Sequence, residues 1–168
     1  MTGLSHIRSA VPTVYSKKLA ITAPVNGKTT SLSSVDNPLY AAGAWGPGHA
    51  VVTASSQVIT PLAGVIALTD PLDYAVIVNA ENGVRMKIKL GDNTGSLLGE
   101  KCFFNVKKGD AAGRNAPLMT FSPAWLKQQH VEPVCLVTLL NADKARAVVP
   151  TDRSQVTAGE DVLFTLYV

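Results

Sequence analysis

Residues 83–94 read GVRMKIKLGDNT, and the first half of this stretch alternates basic with apolar side chains. A period of two predicts a β-strand with one cationic face and one apolar face. The preceding residues 74–78, YAVIV, are a second strand candidate, and Asn82-Gly83 is a favourable hairpin dipeptide between the two. The sequence therefore predicts a β-hairpin over residues 74–90.

Two registers are open for this hairpin, since either Glu81-Asn82 or Asn82-Gly83 can form its loop. Tyr74 then lies opposite Lys89 or Gly91, and a shift of two residues preserves the face of every side chain. Both registers predict one outward face that carries Tyr74, Val76, Val78, Arg85, Lys87 and Lys89. They place Ala75, Ile77, Met86, Ile88 and Leu90 on the opposite, core side. The outward face is either an anion-binding or acidic-partner surface or an ordinary solvated face.

The composition indicates a folded, mostly β protein. Of 168 residues, 46% are hydrophobic and 16% are charged, which argues against disorder over most of the chain. Ten prolines and 13 glycines separate short apolar runs. We expect an N-terminal tail over residues 1–18 and one domain over residues 19–168. Leu4, Ile7 and Val11 could instead line a short partner-binding or membrane-surface helix, which Pro12 would interrupt.

Charge and cysteine content exclude several classes of protein. A net charge of +3 is too diffuse for a nucleic-acid binder, and no run of 18 apolar residues predicts a membrane span. Cys102 and Cys135 are expected to be reduced thiols in a cytoplasmic protein. No histidine or cysteine spacing fits a metal site, so we expect neither metal nor cofactor, and His49 is expected to be structural or on the surface.

Two pairs of short motifs recur along the chain. APVNG at residues 23–27 is echoed by TPLAG at residues 60–64, and VKKGD at residues 106–110 by VTAGE at residues 156–160. Because glycine permits tight turns into strands, these echoes predict an internally duplicated, antiparallel β-sandwich or barrel-like fold with little helix. One short helix is expected after Ser122, followed by a buried strand within residues 131–140.

In their order and spacing these motifs resemble the glucose-specific IIA component of the bacterial phosphoenolpyruvate-dependent sugar phosphotransferase system. The resemblance covers residues 19–168 and includes the segments at 23–27, 41–48, 61–66, 83–94, 109–110, 133–141 and 156–160. It implies an antiparallel β-sandwich with a duplicated motif. It also implies two histidines, 15 residues apart, that pass phosphate from the histidine phosphocarrier protein to a sugar-permease domain.

Carried over without a gap from Gly64, the two histidine positions fall on Tyr74 and Lys89. Two flanking aspartates of the family fall on Asn37 and Asn93, and partner-contact positions include Tyr40, Trp45 and Lys87. An imidazole offers a neutral, nucleophilic nitrogen near pH 7, whereas a lysine with its reference pKa is neutral in only about one molecule in 2,500. A phosphotyrosine ester is a poor onward donor of phosphate.

The main hypothesis is therefore a IIA-like protein that is not a working phosphotransferase and acts as a regulatory or binding module. Its expected partners are an acidic protein or a small anion, including proteins of sugar transport or metabolism. The expected binding residues are Tyr74, Lys89, Lys87, Arg85, Asn93, Asn37, Tyr40 and Trp45. The alternatives are a phosphocarrier with a non-histidine phosphoacceptor, with Tyr74 as a candidate, and a structural or assembly domain that acts through its N-terminal tail.

Overall fold

A computed structural model of the protein describes residues 9–168. These residues form strands and two short α-helices, with brief 3₁₀ turns at Leu32–Ser34 and Gly95–Leu97. The strands are β1 (Lys18–Thr22), β2 (Gly27–Thr30), β3 (Gly48–Thr53), β4 (Gln57–Ile59), β5 (Gly64–Asp70), β6 (Ala75–Ala80), β7 (Arg85–Leu90), β8 (Cys102–Phe104), β9 (Ala111–Ala112), β10 (Pro117–Phe121), β11 (Val134–Leu139), β12 (Ala147–Pro150), β13 (Gln155–Val156) and β14 (Val162–Tyr167). The helices are α1 (Pro38–Ala41) and α2 (Pro123–Gln128).

The strands form one large and two small antiparallel sheets. The large sheet has eight strands in the order β13-β2-β3-β11-β7-β6-β5-β9, and two three-stranded sheets have the orders β1-β14-β12 and β4-β10-β8. The prediction of an antiparallel, all-β fold with little helix is confirmed. The candidate site lies on the central strands β11, β7 and β6 of the large sheet.

The large sheet is covered on both faces. One face contributes the apolar residues Val76, Met86, Ile88 and Val137 to the main core. The other face contributes Ala50, Val134 and Leu136 to a second, smaller cluster with Tyr40, against which Leu32 and Val35 pack. Residues 31–47 therefore form a cover over the second face. Side chains of the central strands that point toward this cover lose contact with water.

Local sequence signals explain the two helices. Asn37 caps α1, because its side-chain oxygen accepts a hydrogen bond from the Leu39 amide at 3.1 Å, and Pro38 occupies the first turn. The helix expected after Ser122 is confirmed as α2, in which the Ser122 hydroxyl accepts a hydrogen bond from the Trp125 amide at 3.1 Å. The expected buried strand is β11, all of whose residues are buried.

Gly64 shows why the repeated motifs end in glycine. It is the first residue of β5, just as Gly27 is the first residue of β2. A Cβ atom on Gly64 would lie 2.3 Å from the Asn79 carbonyl oxygen and 2.7 Å from the Ala80 Cα. Glycine is therefore required there by the close approach of the neighbouring strand β6.

The β6–β7 hairpin has a register that differs from both predicted ones. Ala75 pairs with Lys89, Ile77 with Lys87 and Asn79 with Arg85, so the loop is residues 81–83. A three-residue loop with glycine in the left-handed region is a common hairpin turn, and Gly83 has φ +89°. The three-residue loop shifts the register by one residue from either predicted register. Each side chain of β7 therefore shares a face with the side chains of β6 that were predicted to lie on the opposite face. The predicted faces were therefore wrong: Ala75 and Ile77 share the lysine face, whereas Tyr74, Val76 and Val78 do not.

The N-terminal segment is described only from Ser9 onward. Leu4 and Ile7, which carried the helical interpretation of the tail, lie outside the described residues. Residues 16–18 run beside the end of the chain, where the Ser16 amide donates to the Val168 carbonyl oxygen at 2.6 Å. None of the helices within residues 9–168 is long and apolar enough to cross a membrane.

Candidate functional site

Three charged side chains meet beneath the cover of the large sheet. The Lys87 ammonium lies 2.9 Å from Asp73 Oδ2, and the Lys89 ammonium lies 3.0 Å from Asp73 Oδ1. Lys87 is 4% exposed and Lys89 is 1% exposed, whereas Arg85 is exposed. The prediction of an outward cationic face was thus wrong for both lysines, because residues 31–47 cover that side of the sheet. We call Asp73, Lys87 and Lys89 the charged triad.

All hydrogen-bond donors of the Lys89 ammonium are used within the protein. Besides the Asp73 carboxylate, its ammonium donates to the Asp73 carbonyl oxygen at 2.7 Å and to the Thr94 hydroxyl at 3.0 Å. An ammonium has three N–H donors, and these three acceptors use all of them. Lys89 therefore joins β7 to the loop before β6 and to the turn after β7. It presents no free donor to a ligand.

Lys87 also lies against two aromatic rings of the cover. Its Nζ is 3.5 Å from the centre of the Trp45 ring and 5.6 Å from the centre of the Tyr40 ring. The two rings are stacked, with centroids 6.1 Å apart and planes 23° apart. These distances suit cation–π attraction, which is strongest for desolvated cations over tryptophan. The predicted site residues Tyr40, Trp45 and Lys87 are thus brought together.

The buried setting shifts the pKa values of the triad. For Asp73, burial acts to raise the pKa, but the hydrogen bonds and charges of Lys87 and Lys89 outweigh it, and the pKa falls below its usual value. For Lys89, burial lowers the pKa and the Asp73 carboxylate counteracts that effect only in part. Burial also raises the pKa of the Tyr40 phenol, and the negative charge of Asp73 adds to this effect.

Tyr74 points away from the triad, contrary to the prediction. Its backbone has φ +52°, an uncommon value for an aromatic residue. Its ring is fully buried in the main core, and its hydroxyl donates a hydrogen bond to the Glu100 carbonyl oxygen. Burial raises the pKa of Tyr74 to about 12. Tyr74 and Lys89, the two positions expected to correspond to the family's histidines, are therefore close in the backbone but separated in their side chains.

The two asparagines that were expected to flank the site behave differently. Asn37 caps α1, and its amide nitrogen also donates to the Asp92 carbonyl oxygen at 2.7 Å. It therefore fastens the cover to the turn after β7. Asn93, in contrast, is exposed. The two asparagines therefore do not have equivalent positions on either side of the charged triad.

Asp73 is the residue of this site that the sequence analysis missed. It immediately precedes Tyr74, in the loop before β6, and no role was predicted for it from the sequence. One signal was available, because two lysines that alternate with apolar residues in a central strand need a counter-charge. Which of the chain's 12 acidic residues supplies it is a tertiary property.

A cavity of about 450 Å³ opens beside the triad. Its polar wall includes Asp73 and Lys87, and its apolar wall includes Trp45, Leu68 and Leu72. These three apolar residues are between 36% and 59% exposed, which is high for large hydrophobic side chains in one place. We call Trp45, Leu68 and Leu72 the apolar rim. The geometry suits binding of an apolar group next to a polar one.

No other part of the described chain offers an evident catalytic or metal centre. Within residues 9–168, no three histidine, cysteine or acidic residues are grouped so that they could hold a metal ion. His49 is nearly buried in β3, and burial lowers its pKa. Burial likewise raises the pKa of Cys102 to about 11 and raises that of Cys135, so neither thiol is activated.

Comparison with known proteins finds relatives that are glucose-specific components of the phosphotransferase system. A glucose-specific EIIA component of a phosphotransferase system from Oceanobacillus iheyensis is 32% identical over 145 residues, covering 86% of this chain and 88% of that protein. A glucose-specific EIIBCA component from Corynebacterium glutamicum is 30% identical over 143 residues, which are 85% of this chain and 21% of that protein.

The fold is also that of a solved relative. Glucose permease IIA from Mycoplasma capricolum superposes with a TM-score of 0.74 at 19% sequence identity, over 89% of this chain and 96% of that structure. The family described as "phosphoenolpyruvate-dependent sugar phosphotransferase system, EIIA 1" matches residues 19–145, well over half of the chain. This chain therefore belongs to the EIIA 1 family of the phosphoenolpyruvate-dependent sugar phosphotransferase system.

Proposed function

We propose that this protein is an EIIA-family member that does not relay phosphate through histidine and acts by binding. The observation that carries the proposal is the occupation of the two histidine-aligned positions. Lys89 has all three of its donors engaged by Asp73 and Thr94, and Tyr74 is buried with its hydroxyl bonded to Glu100. Both side chains hold the fold together at positions where a phosphate relay needs free nucleophiles.

The chemistry of these two groups supports the proposal. A phosphoryl acceptor needs an accessible lone pair, but the Lys89 side chain is 1% exposed and its ammonium protons are engaged in hydrogen bonds. Tyr74 would have to lose its phenolic proton, but burial keeps its pKa high, at about 12. A phosphate ester on tyrosine would also be a poor donor for a further transfer. Neither group reproduces an imidazole that is accessible and neutral near pH 7.

The apolar rim is the surface through which we propose that binding occurs. The expected partners were an acidic protein or a small anion, but Asp73 neutralises much of the charge that Lys87 and Lys89 would present. A protein partner that places an apolar side chain against Trp45 and Leu72, with a carboxylate near Lys87, suits this surface better than a free anion. Because the relatives are named as glucose-specific components of the phosphotransferase system, we propose components of sugar transport as partners and a regulatory role in the cytoplasm.

Phosphate transfer from labelled phosphoenolpyruvate tests the first half of the proposal. The protein is incubated with enzyme I and the histidine phosphocarrier, with the Oceanobacillus iheyensis EIIA component as the positive control. We expect label on the control and none on this protein. Acid-labile label on this protein would contradict the proposal. Acid-stable label that disappears in Tyr74→Phe would favour the alternative of a tyrosine phosphoacceptor.

Binding of purified phosphotransferase-system components tests the second half. We expect Trp45→Ala and Leu72→Ala each to weaken binding about tenfold or more, as is typical for central apolar contacts. Phe103→Ala is the matched control, because Phe103 is 67% exposed but lies on β8 in a different sheet. Equal weakening by all three substitutions, or by none of them, would contradict a role for the apolar rim.

A further inference from the structure

A second cavity, of about 260 Å³, lies beneath the cover on the side away from the apolar rim. It opens between β2, the residues before α1, and the strands β3 and β11. Its polar wall consists of Thr30, Ser34, Asp36, Asp92 and Glu132. Val52 and Val134, which pair with each other in the sheet, form part of its apolar wall. Neither the charged triad nor the apolar rim lines this cavity.

Asp92 is the unusual member of this group. The residue is only 5% exposed, and its backbone carbonyl oxygen accepts the hydrogen bond from Asn37. Within residues 9–168, however, its carboxylate has neither a hydrogen bond nor an ion pair of 4 Å or less. Within residues 9–168 the sealed side-chain atoms without a hydrogen-bond partner are hydroxyls of Thr22, Tyr40 and Thr138, so the Asp92 oxygens are in contact with solvent. Because Asp92 lines the cavity, a ligand there can supply the hydrogen bonds that the described residues do not.

The described part of the chain brings no cation to this cavity. The charge of Lys89 interacts with Asp92 across a longer distance, but the donors of Lys89 are already used by Asp73 and Thr94. The cavity wall thus holds three carboxylates and two hydroxyls, and none of its residues is a lysine or an arginine. Asp36 and Glu132 are exposed, so a cation could enter from solvent.

We propose that this cavity binds an organic cation, namely a guanidinium or ammonium group. The acidic residues are not grouped closely enough for one metal ion. A guanidinium, in contrast, has five N–H donors in a planar fork and can reach acceptors that lie apart. Its aliphatic stem would pack on Val52 and Val134, as the stems of long basic side chains do. The volume fits a single such group, either of a free small molecule or of an arginine or lysine side chain of a partner.

This site is independent of the proposed function, because it uses a different cavity and different residues. NMR titration of the full chain with agmatine tests it, and a blocked Gly-Arg-Gly peptide in parallel distinguishes a free guanidinium from an arginine side chain. We expect saturable shifts of the Ser34, Asp92 and Glu132 amides with at least one of these probes. Absence of saturable shifts with both probes, or saturation by calcium alone, would overturn the proposal.

Three variants show whether the carboxylates are responsible. We expect Asp92→Asn to weaken agmatine or peptide binding by about tenfold or more, because it removes a carboxylate charge from the cavity wall. Glu132→Gln, on the exposed wall, should weaken it less and should leave the melting temperature unchanged, so it tests the site even if the Asp92 variant is unstable. Asp152→Asn is the matched control, since Asp152 is exposed and does not line the cavity. Equal affinity of all three variants and the wild type would overturn the assignment.

Discussion

Replacing Asp73 by asparagine should destabilise the protein strongly. The substitution removes the carboxylate that lies 2.9 Å from Lys87 and 3.0 Å from Lys89, and it leaves both ammonium groups nearly inaccessible to water. Breaking a buried ion pair by removing one partner typically costs about 3–5 kcal/mol. We take the lower end, about 3 kcal/mol, because the Asp73 side chain is 36% exposed and Lys89 keeps two neutral acceptors.

Urea unfolding followed by far-ultraviolet circular dichroism measures this loss. For a protein of this size, a loss of about 3 kcal/mol corresponds to a fall in melting temperature of roughly 6–12 °C. Adding Lys87→Met to the Asp73 variant should recover part of the loss, because it removes one unpaired charge while an apolar side chain still packs against Trp45. Asp152→Asn, at an exposed site, should change the unfolding free energy by no more than about 0.5 kcal/mol.

A small effect of Asp73→Asn would contradict the burial of the two ion pairs. A loss below about 1 kcal/mol for Asp73→Asn, with an unchanged slope against urea, is the behaviour of a surface ion pair. It would mean that water reaches the lysines and that the residues 31–47 do not cover them. Failure of Lys87→Met to recover any stability would separately show that Lys87 is not the unpaired charge.

Three other substitutions or conditions test other parts of the structure. Because the folded-state pKa of Asp73 lies below its unfolded value, its contribution to the unfolding free energy is complete above about pH 4 and is lost as pH falls through the folded-state pKa. The difference in unfolding free energy between wild type and Asp73→Asn should therefore shrink in acid. A constant difference down to pH 2 would contradict this. Gly64→Ala should cost about 1–3 kcal/mol, because its Cβ would overlap the Asn79 carbonyl, whereas Gly113→Ala, in open space, should be nearly neutral by thermal unfolding. Tyr74→Phe should cost about 1 kcal/mol, because the Glu100 carbonyl oxygen loses its donor; an unchanged melting temperature would argue against that bond.

Much of the fold could be predicted from local sequence signals. Alternating apolar residues mark strands, and glycine and proline mark the turns between them, because both signals depend on geometry that neighbouring residues share. The helix after Ser122 and the buried strand β11 followed from such signals. The order and spacing of the motifs were also enough to indicate the EIIA family, which the comparisons confirm.

The candidate site could be predicted only in part. Residues 85–89 were correctly assigned to one strand, and the structure brings Tyr40, Trp45 and Lys87 together, whose role as binding residues stays a prediction. The predicted orientation of the Tyr74 side chain was wrong. The loop at 81–83 has one residue more than either predicted loop, which reverses the faces of the two strands relative to each other. No composition or motif in the loop distinguished three residues from two.

The alternation of basic and apolar residues in 85–90 was sufficient to predict a β-strand that carries Lys87 and Lys89 on one face. The burial of these lysines, in contrast, is a property of the tertiary structure. Their environment depends on the cover formed by residues 31–47 and on Asp73, which lies far from the cover along the chain but next to Lys87 and Lys89 in space. Burial and pairing are properties of neighbours across the sheet, and the pattern along a single strand does not specify which neighbours will be there.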